Sequence, residues 1–216
     1  MIDAIIKVLA SYLLGSIVGG LLIGRVRGGV DIRRLGSGNA GGTNALRTQG
    51  KAFAFWVMLI DIGKGWVAAR VFPELSLSSP ALAPAPTWVS LPAACGVAVI
   101  LGHVYPIWYG LRGGKGVATL IGVVLGLDAW LLVPMLLSWF AMVAVFGYVG
   151  LASMAAAAVL PVYVGLTGSP ADMPLVTFGV AVTALITFTH RANIARMLQH
   201  REPRAHRLWL FGPHER

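Results

Sequence analysis

Residues 117–166 read VATLIGVVLGLDAWLLVPMLLSWFAMVAVFGYVGLASMAAAAVLPVYVGL, and Asp128 is the only charge among them. A helix needs about 20 apolar residues to cross the hydrocarbon core of a bilayer. This stretch is too long for one crossing, and its polar breaks divide it. Residues 129–146 form one span. A turn at Gly147 and Gly150 separates it from a second, residues 151–164. Residues 117–127 are too short to cross unaided. They fit a short or broken helix, which a membrane tolerates where the chain lines a protein cavity.

The same reading extends outward. Residues 174–188 are a further span on the C-terminal side; residues 88–109, 52–72 and 5–23 are spans on the N-terminal side. The Pro/Ser/Ala stretch 73–87 reads as a surface loop. The first span is not a convincing signal peptide, because its apolar run exceeds about 15 residues and Arg25 and Arg27 follow it. The expected fold is therefore all-α: a polytopic helical membrane bundle of seven transmembrane helices, with five as the alternative.

Composition agrees. Of 216 residues, 57% are hydrophobic and 12% charged, and mean hydropathy is +0.77. Soluble domains carry about 25% charged residues. A soluble enzyme, a disordered tail protein and a disulfide scaffold are excluded on these grounds. A single cysteine, Cys95, allows no internal disulfide and no multi-cysteine centre.

The formal charge is +9, and it is unevenly spread. With seven spans, one side receives residues 25–51, 110–116, 146–150 and the tail from Thr189. These hold fourteen of the 17 basic residues. The positive-inside rule makes this side cytoplasmic, with the N-terminus outside and the C-terminus inside. Five spans give the same sidedness. The expected location is a membrane whose basic side faces the cytoplasm. The basic excess belongs to a membrane face, so no nucleic-acid partner is expected. Residues 201–216 are read as a basic cytoplasmic tail lying on anionic lipid as an amphipathic helix.

Three polar segments fall on that cytoplasmic face. The first is GSGNAGGTNALR, residues 36–47. Glycines let the backbone turn sharply and approach a ligand, and successive N–H groups in such turns make anion-binding concavities. Ser37, Asn39, Thr43 and Asn44 add neutral donors. Arg47 adds a forked cation that suits phosphate. The second is GHVYPIWYGLRGGKGVAT, residues 102–119. Gly113, Gly114, Lys115 and Gly116 stand at a helix start, a good anion receptor. The Walker A spacing is missing, so ATP binding is not expected. His103 is a base, a donor or a packing residue. The third is THRANIARMLQHREPR, residues 189–204. His190, Asn193 and Met197 share one helix face, with Arg196 three residues beyond Asn193.

Asp61 and Lys64 lie within the second span, three residues apart on one face. Charges inside a membrane are costly and usually paired or functional. They are read as an ion pair that positions the helix beside the site. The pairs Gly15/Gly19 and Gly20/Gly24 fit close helix packing.

The chemistry is narrowed by what is missing. The five histidines are scattered and carboxylates are few, so no metal is expected. There is no G-x-S-x-G elbow. The remaining design is a membrane-surface site that binds phosphate twice, or a diphosphate, with no cofactor. A transporter for a small phosphorylated solute is the competing class. It predicts internal repeats and midplane polar residues, whereas the polar segments here cluster at one face.

The three segments resemble the motifs of the bacterial acyl-phosphate:glycerol-3-phosphate acyltransferase (PlsY) family. That family reads S-G-N-x-G-x-T-N-x-x-R, then G-H-x-x-P with G-G-K-G-V-A-T, then H-R-x-N-I-x-R-L-L-x-G-x-E. The first two match at every fixed position, and Asp61, Lys64 and Gly65 match a D-x-x-K-G in the second span. The third departs at Met197, and at His200, which stands where glycine is usual. The resemblance covers essentially the whole chain, as one membrane-embedded acyltransferase domain, 1–216.

The resemblance implies transfer of a fatty acyl group from acyl phosphate to the sn-1 hydroxyl of glycerol 3-phosphate. It implies catalytic roles for Ser37, Arg47, Lys115, His190 and Asn193. It implies substrate contacts from Gly38, Asn39, Thr43, Asn44, His103, Gly113, Gly114, Gly116 and Arg196. Asp61, Lys64 and Glu202 would support the site. The proton acceptor is the leaving phosphate, His103 or His190, with the phosphate favoured. A monomer is compatible with all of this, and the oligomeric state is left open.

Overall fold

Every regular element among the described residues is helical. The computed structural model describes residues 2–75 and 90–212. Most of the expected 73–87 loop, the start of the third span at Trp88 and the last four tail residues lie outside them. The chain divides into two compact units, Met1–Ala129 and Trp130–Arg216.

In the first unit, α1 (Ile2–Gly15) and α2 (Gly19–Val26) replace the single expected span 5–23. They meet at a 49° bend. The break is local: Val18 is extended, and Ser16 Oγ donates back to Tyr12 O at 3.0 Å. Next come α3 (Gly42–Gln49) and α4 (Lys51–Trp66). A widened π turn, Val67–Val71, and a 3-10 turn, Phe72–Glu74, prolong α4. Then α5 (Leu91–Val104) begins at Ser90, whose Oγ accepts from Ala93 N, with Pro92 in the first turn. Last is α6 (Val117–Leu127). At about 1.5 Å per residue, α6 reaches roughly 16 Å, half of a hydrocarbon core.

Small residues bring these helices together. A Cβ on Gly15 would overlap Val99 O, and one on Gly102 would overlap Tyr12 O, so α1 and α5 touch backbone to backbone. Gly65 and Gly122 do the same for α4 and α6. Gly19, Gly20 and Gly24 press on Val57, Ala40 and Val30. The glycine face expected from the sequence is thus used inside this unit. Ile32, Ala45, Phe53, Ala54 and Val57 form a buried cluster beneath the first polar segment.

The second unit holds α7 (Leu132–Phe146), α8 (Val149–Thr167), α9 (Met173–Thr189) and α10 (Arg191–Leu198). Pro161 inside α8 has no N–H, which orphans Ala157 O one turn back. Thr183 Oγ1 of α9 donates to that carbonyl at 2.8 Å, and Gly179 makes room for the proline ring.

Residues 201–212 correct one expectation: they are not an amphipathic helix. They fold back on the end of α7. Ala205 N donates to Gly147 O (2.8 Å), Leu210 N to Ala144 O (2.9 Å) and Trp209 Nε1 to Val145 O (3.1 Å). The last carbonyls of a helix need donors, and here the tail supplies them. The Arg204 guanidinium lies 4.8 Å from the Tyr148 ring centre and 4.0 Å from that of Trp209.

Among the described residues, five helical stretches are long and apolar enough to cross a membrane: Lys51–Glu74, Leu91–Tyr109, Ala129–Phe146, Val149–Thr167 and Pro170–Thr189. The bent pair α1–α2 makes a sixth, and α6 is a shorter apolar helix.

Candidate active site

The first polar segment is organised by one buried amide. Asn44 sits in the first turn of α3 and is 1% exposed. Its Nδ2 donates to Ile32 O (2.9 Å), Leu35 O (3.0 Å) and Asn39 O (2.9 Å), and its Oδ1 accepts from Ser37 N (2.9 Å). The carboxamide is fully committed to the chain around it. Asn44, expected among the substrate contacts, clamps the loop into shape. Gly36 (φ +56°) turns over this amide, where a side chain would overlap Asn44 Oδ1. Around the clamp, Ser37, Gly38, Thr43 and Arg47 are exposed and Asn39 is half-buried.

The second segment folds back on the end of α5. Gly113 N donates to Val104 O and Gly114 N to His103 O, both at 3.1 Å. Gly116 (φ +90°) then starts α6, and Lys115 is half-buried. His103 is 2% exposed. Its Nδ1 is 2.9 Å from Lys64 Nζ, while its Nε2 lies directly against Gly114. An ammonium only donates, so Nδ1 accepts and the ring proton belongs on Nε2. The imidazole packs under the glycine turn, with Nδ1 facing Lys64.

Below the turn lies a charged cluster. Lys64 Nζ is 2.9 Å from Asp61 Oδ1 and donates to Gly15 O (2.9 Å) and Ile17 O (2.7 Å). Asp61 Oδ1 accepts from Gly19 N at 3.0 Å, and Oδ2 has no hydrogen-bond partner. The cation therefore meets the carbonyl end of α1 and the anion meets the N–H end of α2. Each charge faces the helix terminus of opposite partial charge. The expected Asp61–Lys64 pair exists, and it clasps a broken helix.

Asp31 and Arg33 escaped the sequence reading. Asp31 Oδ1 accepts from Arg33 N (3.0 Å) and so caps the 3-10 turn Ile32–Arg34. The Arg33 guanidinium pairs with the same carboxylate at 2.8 Å. Its Nη1 then reaches Tyr109 O (3.1 Å) and Arg112 O (2.7 Å). Hydrogen bonding to Arg33 holds the Asp31 carboxyl below the usual carboxylate range, and Asp31 in turn raises the guanidinium. The only signal in the sequence is an acid two residues before an arginine, which is too common to single out.

The third segment belongs to the second unit. His190 is 3% and Asn193 6% exposed. His190 Nδ1 lies 2.8 Å from Ile186 O. A carbonyl only accepts, so Nδ1 carries the proton and Nε2 is the basic nitrogen. Glu202 takes Asn193 Nδ2 on Oε1 (2.5 Å) and Arg196 Nε on Oε2 (2.6 Å). Arg196 is thus engaged with Glu202. His200 N donates to Met197 O (3.0 Å) and Arg201 N to Arg196 O (2.8 Å), with His200 left-handed at φ +55°. This is a Schellman end, where glycine is preferred. Histidine is accommodated there, and the turn still delivers Glu202. Among the described residues no three His, Cys, Asp or Glu side chains converge as metal ligands would.

Fold and site define an integral membrane protein of packed apolar helices that carries glycine turns, hydroxyls and cations between them. The model of one family, glycerol-3-phosphate acyltransferase, matches residues 5–200. A glycerol-3-phosphate acyltransferase of Thioalkalivibrio sulfidiphilus is 42% identical over 205 residues, 94% of this chain and 95% of that one. One from a Synechococcus strain is 40% identical over 217 residues, 99% and 100% of the two chains. Among solved structures, the integral membrane glycerol 3-phosphate acyltransferase PlsY is similar in two forms. Its glycerol 3-phosphate form has a TM-score of 0.80 at 35% identity, covering 93% of this chain and 94% of that one. Its lysophosphatidic acid form has a TM-score of 0.78 over the same shares at 35% identity. The chain belongs to the glycerol-3-phosphate acyltransferase family.

Proposed function

We propose that the protein transfers a fatty acyl group from acyl phosphate to the sn-1 hydroxyl of glycerol 3-phosphate. The products are 1-acyl-glycerol 3-phosphate (lysophosphatidate) and inorganic phosphate, and the reaction opens phospholipid synthesis. The observation that carries the reading is the joining of two glycine loops in the first unit. One holds Ser37 and Arg47, the other Lys115, and Arg33 ties the first to the second.

The hydroxyl oxygen attacks the acyl carbonyl carbon. The bond from that carbon to the phosphate oxygen breaks, and phosphate leaves with the electron pair. An acyl phosphate is already an activated anhydride, so no enzyme nucleophile is needed. In this reading Ser37, with the Gly38 and Asn39 backbone, stabilises the carbonyl oxyanion or holds the acyl phosphate. Thr43 adds a further contact. Arg47 and Lys115 clamp phosphate. Gly113, Gly114 and Gly116 hold glycerol 3-phosphate, and His190 and Asn193 orient its hydroxyl. The leaving phosphate accepts the hydroxyl proton. The engagement of His103 Nδ1 with Lys64 supports that choice over His103, and His190 Nε2 is the side-chain alternative.

The same reading sets the protein in the bacterial inner membrane as one domain over residues 1–216, with its active site at the cytoplasmic face. It crosses seven times, counting the bent pair and the short α6. Its N-terminus is outside, and residues 201–216 are a basic cytoplasmic tail. It works without cofactor or metal, and a monomer is compatible with it.

The test uses purified protein in detergent or lipid cubic phase with EDTA. Palmitoyl phosphate and glycerol 3-phosphate are supplied, and phosphate and lysophosphatidate are followed together. Equal release of both, lost in Arg47→Ala and Lys115→Ala, is expected. Turnover with acyl-CoA alone overturns the donor. No turnover with either donor, from folded protein, overturns the reaction.

A further inference from the structure

The Asp31–Arg33 pair lies outside every residue assigned above to substrate, yet it contacts both loops that carry them. On one side, Arg33 belongs to the turn Ile32–Arg34, rooted by Ile32 at 0% exposure in the cluster under the first loop. The carbonyls of Ile32, Leu35 and Asn39 all converge on the Asn44 amide. The position of Arg33 is therefore locked to Ser37 and Asn39. On the other side, Nη1 holds Tyr109 O and Arg112 O, the two carbonyls flanking Gly110 and Leu111. Gly110 (φ +66°) and Leu111 (φ +59°) are both left-handed, and Gly113 comes next after Arg112. Tyr109 also packs on Val18, Leu21 and Ala40, and Ala40 lies in the first loop. A guanidinium donates from fixed directions, and its forked face is already paired with Asp31. Only the remaining edge reaches across.

We infer that Asp31 and Arg33 form a positioning strut that sets the spacing between the Ser37–Arg47 loop and the 113–116 turn. Through that spacing the strut determines affinity for the phosphate of the acceptor substrate. Arg33 touches no reacting atom. Asp31 acts only through Arg33, by fixing the plane of its guanidinium. Without the strut, residues 109–112 keep their left-handed turns but lose the donor that anchors them. Bound glycerol 3-phosphate must then order the turn, and affinity falls while turnover at saturation is retained.

This inference rests on the acyltransferase reading, so its test has an arm that does not. In Arg33→Gln, KM for glycerol 3-phosphate should rise about tenfold to thirtyfold, the size expected for the net loss of one charge-assisted bond. KM for palmitoyl phosphate and kcat should stay within about threefold. A role confined to folding lowers the active fraction, and with it the apparent kcat, but leaves KM unchanged. Asp31→Asn should give a smaller rise, and Asp31→Asn/Arg33→Gln no more than Arg33→Gln alone, because the two residues act as one unit. An unchanged KM in Arg33→Gln, or additive effects in the double variant, overturns the strut. The independent arm is amide hydrogen exchange in detergent without substrate. Exchange across 109–116 should quicken at least about tenfold in Arg33→Gln, while 117–127 is unchanged. Equal exchange in both proteins overturns the strut. A wild type inactive with palmitoyl phosphate but showing the exchange difference overturns the reaction and leaves the strut standing.

Discussion

Removing one charge from the buried clasp should be far worse than removing the other. Lys64 Nζ has three N–H groups and four acceptors within 2.9 Å: Gly15 O, Ile17 O, Asp61 Oδ1 and His103 Nδ1. In Asp61→Asn those N–H groups keep two carbonyls and the imidazole, and the new amide oxygen still receives Gly19 N. The expected loss is about 1–2 kcal/mol, one charge-assisted bond. In Lys64→Met the Asp61 carboxylate keeps only Gly19 N–H, and its Oδ2 is already unpartnered. The carbonyls of Gly15 and Ile17, at and just beyond the end of α1, also lose their donor. Breaking a buried pair in this way costs about 3–5 kcal/mol. The double variant Asp61→Asn/Lys64→Met leaves no buried charge and should be more stable than Lys64→Met alone by about 1–2 kcal/mol. Equilibrium unfolding in mixed detergent micelles, followed by tryptophan fluorescence, measures all three. If Asp61→Asn proves the more damaging single change, or the double variant costs the sum of both, the clasp does not work as described.

Other outcomes follow from single contacts. Gly114→Ala would drive a methyl into His103 Nε2; activity should fall at least about tenfold, with partial recovery in Gly114→Ala/His103→Ala, and a fully active Gly114→Ala would sink the packing argument. Asn44→Asp turns three donated bonds into three facing acceptors; a loss of about 2–4 kcal/mol and of nearly all activity is expected, read by thermal unfolding and phosphate release. His200→Gly relieves a left-handed histidine; activity should be retained and the melting temperature should not drop, whereas a fall in both would show that the imidazole itself is needed. The Asp31 carboxyl titrates below its ordinary 3.8 because Arg33 holds it. Its contribution is therefore complete above that value and lost only as pH falls through the lowered one. KM for glycerol 3-phosphate should show no strut-dependent change between about pH 5 and 8, and an acid-side rise should be absent in Asp31→Asn.

The helical class and its approximate spans were legible because a bilayer is a uniform apolar solvent. Residues that cross it must be long apolar runs with every backbone bond satisfied locally, and 129–146, 149–167 and 170–189 satisfy that by themselves. The polar segments were legible because glycine, serine and arginine at such density stand out against the apolar runs beside them. The break between α1 and α2 was not legible. Residues 16–18 are Ser-Ile-Val, which continue an apolar run without interruption; the bend persists because Asp61 and Lys64, more than forty positions away, satisfy the broken ends. The role of Asn44 was hidden for the same reason, since composition cannot distinguish an amide that meets a ligand from one that meets its own loop.

The sequence alone therefore determined what solvent this chain folds in, which stretches cross it and which segments are chemically unusual. These are properties of local composition. Tertiary structure alone decided which polar groups are engaged with the chain itself. It enclosed His103 under Gly114, turned Asn44 inward, folded residues 201–212 onto α7 and made Arg33 the link between two loops. Each of those outcomes depends on a hydrogen-bond partner distant in sequence, and a buried donor or acceptor takes whichever partner the packing brings within about 3 Å.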